Sequence, residues 1–134
     1  MKSFRFAGIH RKRDNPEKRL VQTPILSYLR FMGVYCYHHK NHGIKIKQAG
    51  RDIWLPGSKQ GIPDIIGFLG PRWGRFKGRF VAIECKYGKN TASPEQVLFL
   101  DDAKKSGCIS ILAYDLKDVQ AVLDPLQKEA DKGA

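Results

Sequence analysis

Val81-Ala82-Ile83-Glu84-Cys85-Lys86 is the stretch on which the fold turns. Side chains of a β-strand alternate faces, so Val81, Ile83 and Cys85 enter a core while Ala82, Glu84 and Lys86 share the other face. Upstream, Pro63-Asp64 opens a second short apolar run over 64–69, and the proline restricts the residue before it and fixes the approach of the chain. The Gly- and Arg-rich segment 70–78 joins the two runs, which therefore read as an antiparallel hairpin. A register that sets Asp64 opposite Glu84 brings two carboxylates together; spacing alone does not fix that register.

Downstream, Ser93-Pro94-Glu95-Gln96 starts a helix with Ser at the cap, Pro at the first position and Gln where it closes a capping box. Lys104 and Lys105 suit its last turn and Gly107 stops it. The apolar run 108–114 is a strand expected to lie parallel to the Glu84 strand after a right-handed crossover. Asp115 caps a last helix through Leu123, which Pro125 ends or bends, with a polar, frayed tail over 128–134. Nearer the start, Asn15 caps and Pro16 opens a helix whose apolar stripe is Leu20, Ile25, Leu26 and Leu29, ending at Gly33. Pro24 interrupts it, so the helix kinks or a second one starts at Thr23-Pro24. Residues 34–37 and 44–47 read as strands, and 52–55 prolongs that sheet. The order α-β-β-β-α-β-α implies an α/β domain over 15–127, a mixed central sheet flanked by helices.

The chain has 134 residues and 42% hydrophobic content, enough for one core. Its 24 Lys and Arg against 13 acids give a formal charge of +11, which favours a polyanionic partner. No run approaches the roughly 20 apolar residues of a membrane span, and the first residues carry no apolar signal core; nucleic acid is the leading partner and the cytoplasm the expected compartment. Cys36, Cys85 and Cys108 are scattered and form no CxxC pair, which argues against zinc knuckles and disulfides. The His38-His39-Lys40-Asn41-His42 run does not suit zinc, because adjacent strand residues face opposite ways.

Two carboxylates held together repel unless a cation joins them, and hard oxygen ligands suit Mg²⁺ or Mn²⁺. Asp64, Glu84 and Lys86 in that arrangement suit phosphodiester cleavage. Taken alone, Glu84 and Lys86 equally suit a solvated ion pair on a strand face. Gly61-Ile62-Pro63-Asp64-Ile65-Ile66-Gly67, Ile83-Glu84-Cys85-Lys86, Ser93-Pro94-Glu95-Gln96 and Gly107, with Glu17 and Val21-Gln22 upstream, resemble the VRR-NUC family of the PD-(D/E)xK nuclease superfamily. The resemblance implies a restriction-endonuclease-like fold and a Mg²⁺-dependent DNA endonuclease in which Mn²⁺ substitutes. It also implies that Asp64, Glu84, the Cys85 main-chain carbonyl and Glu17 hold the metal, that Lys86 is the catalytic lysine, and that Gln96 completes the site. Single-domain members resemble Holliday-junction resolvases that work as homodimers on branched DNA, and compact standalone nucleases of this kind resemble those of bacteriophages. Without the resemblance, Glu17 reads as a favourable acid at a helix N-terminus and Gln96 as a capping residue only.

Candidate nucleic-acid contacts are Arg11, Lys12 and Arg13 on a basic arm over 1–14, and His39, Lys40, Lys45, Lys47 and Lys59. Arg72, Trp73, Arg75, Lys77 and Arg79 interleave cations with aromatics in the hairpin connection, read as a clamp beside the acidic site; the alternative is that Trp73 and Phe76 pack against the domain. A non-catalytic DNA-binding module and an RNA-directed nuclease are the competing functional readings.

Overall fold

In chain order the elements are a helical run of wide π-type turns (Glu17–Gln22) continued by α1 (Thr23–Phe31), then β1 (Val34–His38), β2 (Ile44–Gln48), β3 (Arg51–Leu55) and β4 (Ile65–Leu69). A 3-10 segment (Pro71–Phe76), β5 (Phe80–Cys85), α2 (Pro94–Lys105), β6 (Ile109–Ala113) and α3 (Leu116–Lys132) follow. The structure, a computed structural model, describes residues 13–40, 44–55, 57 and 60–133. Arg11, Lys12, His42 and Lys59 lie outside the described residues.

The main sheet has the order β1-β4-β5-β6. β4 and β5 pair antiparallel with Ile65 opposite Ile83, and β6 lies parallel to β5 with Glu84 opposite Leu112. β2 and β3 form a separate two-stranded hairpin, inserted between β1 and β4. The main sheet alone reads α-β-β-β-α-β-α.

Alternation sets the layers. Val34, Cys36, Ile65, Leu69, Val81, Ile83, Cys85, Ile109, Ile111 and Ala113 are buried in one cluster with Val21, Ile25 and Leu29 from the first helix and Val119 and Leu123 from α3. α2 lies on the opposite face, where the Ser110 hydroxyl donates to the Leu100 carbonyl at 2.6 Å. Beyond α2 that face is open, and Tyr35, Tyr37, Phe68 and Phe80 are exposed on it. The mixed sheet is therefore sandwiched between helical layers, and among the described residues no helix is long and apolar enough to cross a membrane.

α1 begins at Thr23-Pro24, one of the two outcomes expected there, but it follows the π-type run without a break in the helical backbone. Gln22 and Thr23 both keep right-handed helical backbone, and the Thr23 amide reaches the Lys18 carbonyl, five residues back. Proline lacks an amide and its ring crowds the carbonyl four residues earlier; the widened turn ahead of it accommodates both effects.

Pro125 likewise does not end α3, which runs on to Lys132. The frayed tail expected after 128 is instead docked: Ala130 is buried, Leu126 packs on the core, and Glu129 meets Arg75 at 2.6 Å. Tertiary contacts on both sides of the proline outweigh its local cost.

The connection between β4 and β5 also departs from expectation. A hairpin's loop lies at the end opposite its open ends, so five strand residues, roughly 17 Å, separate it from Asp64 and Glu84. Trp73 is fully buried and its indole N–H donates to the Met32 carbonyl at 2.9 Å, while Phe76 is buried beside it. Trp73 is thus a core residue, not a nucleic-acid contact, because a sequestered ring has no face to offer a base. Arg72 donates to the Phe31 carbonyl, Arg75 and Arg79 lie over the Phe76 ring, and Lys77 is exposed at the same remote end. Arg72, Arg75 and Arg79 thus brace the base of the domain, and none of the four cations flanks the acidic site.

Candidate active site

Extending the Ile65–Ile83 register by one residue sets Asp64 opposite Glu84. The Asp64 amide donates to Glu84 Oε2 at 3.2 Å, and the Cys85 amide donates to Asp64 Oδ2 at 3.0 Å, so each carboxylate is fastened to the partner strand's backbone. Gly61 allows this approach: it has φ +89° and its missing Cβ would stand 2.5 Å from the Glu95 carbonyl oxygen. Any side chain there would push the segment before Asp64 away from the start of α2.

Glu84 is 2% exposed. Burying a carboxylate is costly unless it is paired and hydrogen-bonded. Lys86 Nζ lies 3.3 Å from Glu84 Oε1, and Gln96 Nε2 donates to the same oxygen at 2.8 Å. The other end of the Gln96 amide accepts from the Ser93 amide at 2.8 Å, while the Ser93 hydroxyl accepts from the Gln96 amide N–H at 3.2 Å. Gln96 therefore closes the capping box and reaches the acidic site with one side chain, where the sequence offered these as alternatives.

Burial, reinforced by the Asp64 charge and opposed by Lys86, pushes the Glu84 carboxyl up to about 7. Glu17 is also raised, first by burial and then by Asp64, with Lys86 opposing. Glu17 thus feels the charges of Asp64 and Lys86. Among the described residues, no group of three or more His, Cys, Asp or Glu side chains is gathered as a metal site.

The donor set still fits a hard cation. Two adjacent carboxylates face one ammonium, leaving a net negative site, and Asp64 Oδ2 accepts from the Cys85 amide. Amide and carbonyl of one strand residue point to the same side. The Cys85 amide donates to Asp64, so the Cys85 carbonyl opens toward that carboxylate as well.

A cleft of about 440 Å³ adjoins Asp64 and Gln96, lined also by Asn15, Lys18, Gln22, His38, His39, Lys40, Gly61 and Ile62. The His39 amide donates to the Asp64 carbonyl at 2.6 Å, which closes β1 onto this end of the sheet. His39 and Lys40 thus stand at the site. Lys18, Gln22 and His38 stand there too and were not singled out from sequence as site residues; the spacing of Asn15, Lys18 and Gln22, three and then four residues, was the available signal of one shared helix face. Burial holds the His38 imidazole below its usual range, partly countered by Asp64. Arg13 lies with Asp14 and Arg19 on a neighbouring groove that shares Asn15 and Lys18 with the cleft, and Lys45 and Lys47 are on the β2–β3 hairpin.

Comparison with protein-family models, curated proteins and solved structures returned no match.

Proposed function

We propose that the chain is a Mg²⁺-dependent DNA endonuclease of the VRR-NUC type, with a restriction-endonuclease-like fold, acting as a homodimer on branched DNA such as a Holliday junction. The observation that carries this reading is the buried Glu84, held at once by Lys86, Gln96 and the Asp64 amide on the partner strand. A solvated surface ion pair does not need that framework. In this reading Asp64, Glu84 and the Cys85 carbonyl hold the cation, with Glu17 at the margin. When bound, a divalent cation supplies Lewis-acid polarisation of the scissile phosphate.

The protein's own groups do the rest. Lys86 places a positive charge beside Glu84, where it stabilises negative charge developing on a phosphate. Gln96 fixes the Glu84 carboxylate so that it does not rotate when charge changes. Lys18, Lys40 and His38, around the cleft, bind the phosphates that flank the cut.

Labelled four-way junction, flap and duplex DNA, with matched RNA, incubated with protein and Mg²⁺ or Mn²⁺ test the reading. Metal-supported cleavage of branched DNA is expected, reduced at least about 100-fold by Asp64→Asn and by Lys86→Ala, in line with the loss of one preorganised charge-stabilising group. Cleavage that survives both substitutions unchanged would falsify the assignment, and preferential cutting of RNA would redirect the substrate.

One observation favours a second reading, a non-catalytic DNA-binding module: both Glu84 oxygens are already engaged by protein donors. Calorimetric titration with Mn²⁺ separates the two. A nuclease binds the ion and an Asp64→Ala, Glu84→Ala variant does not; indistinguishable isotherms support the module.

A further inference from the structure

The β2–β3 hairpin stands apart from the main sheet, yet it leaves after β1 and returns before β4, at the sheet end that carries Asp64 and Glu84. An isolated two-stranded hairpin is marginal in water. This one turns through Ala49 and Gly50, both with positive φ, the tight connection that matches strand twist. Its register pairs Lys45 with Trp54 and Lys47 with Asp52, while Ile46 pairs with Ile53 and Ile44 with Leu55.

Cross-strand partners share a face. One face therefore carries Lys45, Lys47, Asp52 and Trp54, and the other Ile46, Ile53 and Leu55, with Gln48 and Arg51 beside the turn. Lys45 Nζ neutralises Asp52 at 3.1 Å, so Lys47 supplies the net charge of that face, with Arg51 exposed near the turn. Trp54 is 65% exposed. A large indole held out among lysines serves no core; it suits a partner that is both anionic and aromatic, since cations take phosphates and indole stacks on a base. A two-stranded ribbon also fits the width of the major groove.

We infer that the β2–β3 hairpin is a DNA-engaging finger in which Lys47 takes a backbone phosphate and Trp54 stacks on a base that has lost its stacking neighbour at a branch. The inference deepens the nuclease reading and rests on it for the choice of DNA; it assigns to Trp54 the distinction between branched and continuous duplex. Bases inside an intact duplex are already stacked on both faces, so only a branch or a single strand offers Trp54 a partner.

The chain has two tryptophans, and Trp73 is fully buried, so emission that responds to added DNA reports on Trp54. Titration of the full chain with a four-way junction, an intact duplex and a single strand, in EDTA so that nothing is cut, is expected to quench emission with the junction and the single strand but not the duplex. Trp54→Phe keeps a ring yet removes the responsive emission. Trp54→Ala is expected to weaken junction binding about tenfold and leave duplex binding unchanged. The Lys47→Ala variant is expected to weaken both and to lower the slope of log affinity against log salt by about 1. Far-ultraviolet circular dichroism verifies that each variant is folded.

Unchanged wild-type emission with junction, or full junction preference in Trp54→Ala, overturns the finger. Emission that shifts with protein concentration in the absence of DNA assigns the face to a second copy and overturns it as well. Quenching without any metal-supported cleavage leaves the finger standing and removes the nuclease reading, so the two failures are distinguishable.

Discussion

Gln96 joins two structures through one amide: its oxygen accepts from Ser93 at the head of α2 and its nitrogen donates to Glu84. Gln96→Ala removes both bonds and is expected to cost about 1–2 kcal/mol in urea unfolding, the sum of a lost cap and a lost hydrogen bond to a buried carboxylate. Gln96→Glu retains the oxygen that closes the box but sets a carboxylate against Glu84, so its stability should fall most where both are ionised. Glu84 makes a separate pH prediction. Its carboxyl is raised from its ordinary 4.5 to about 7, chiefly by burial. The folded chain then binds that proton more tightly than the unfolded chain, so the stabilisation is complete below about pH 4.5 and is lost as pH rises through 7. His38, pulled below its usual range, has the opposite slope. The informative quantity is therefore the metal-free urea midpoint of wild type minus that of Glu84→Gln, at pH 5 and at pH 8. That difference should favour wild type more at pH 5, and equal differences at both values would remove the assignment. At this scale alternation along 81–86 made Glu84 and Lys86 neighbours, and the capping pattern placed Gln96 at the start of a helix. The bond from Gln96 to Glu84 was not legible, because it joins residues that meet only when α2 folds back over the sheet. Lys18 and His38 were hidden for the same reason, since one helix and one strand end converge on Asp64 from different parts of the chain.

Local periodicity identified elements better than it placed them. Strands β4 and β5 and the capped α2 follow from alternation and capping, whereas the position of the 70–79 connection is a consequence of hairpin topology that composition obscures. Its arginines and aromatics look like a nucleic-acid surface, yet Trp73 and Phe76 are buried beneath them. Pro125 misleads because a local rule forbids what neighbouring contacts enforce. For α3 this is testable. Ala130 is 5% exposed, and its atoms lie against Gly74 of the 3-10 segment. Ala130→Glu introduces bulk and charge where there is room for neither, and is expected to cost about 2–4 kcal/mol in denaturant unfolding. A frayed tail would tolerate it, so an unchanged midpoint would show that the end of α3 is not docked. The β2–β3 turn carries a second prediction at this scale. Ala49 holds φ +51°, a conformation that costs an L-residue with a Cβ roughly 1–2 kcal/mol. Ala49→Asn creates the Asn-Gly pair favoured in such turns. It should slow amide hydrogen exchange within 44–55 several-fold without altering exchange in the main sheet.

Over the whole molecule, the charge of +11 was legible from composition but its distribution was not. Several surface cations are already matched to acids: Arg19 with Asp14, Arg75 with Glu129, and Lys105 with Asp101. Exposed pairs of this kind add little stability, but they remove cations from the set available to DNA. Lys18 and Lys40 stand at the cleft and Lys47 and Arg51 on the hairpin, so part of the basic surface lies where the chain enters and leaves the acidic site, while Lys77, Lys89, Lys104 and Lys117 spread the rest over the domain. On the proposed nuclease reading, a single domain with one such site makes one cut at a time. Symmetric incision across a four-way junction needs two sites related by a two-fold axis, and a closed dimer is the simplest way to present them. Sedimentation at micromolar protein is therefore expected to show two chains per particle, or two chains per junction when DNA is added in EDTA, with paired incisions released together once Mg²⁺ is supplied. Only monomer under both conditions, with nicks appearing independently on the two strands, would restrict the protein to single-strand incision and retire the junction-resolving reading. The proposed metal-dependent cleavage would then stand or fall on the Asp64 and Lys86 substitutions alone.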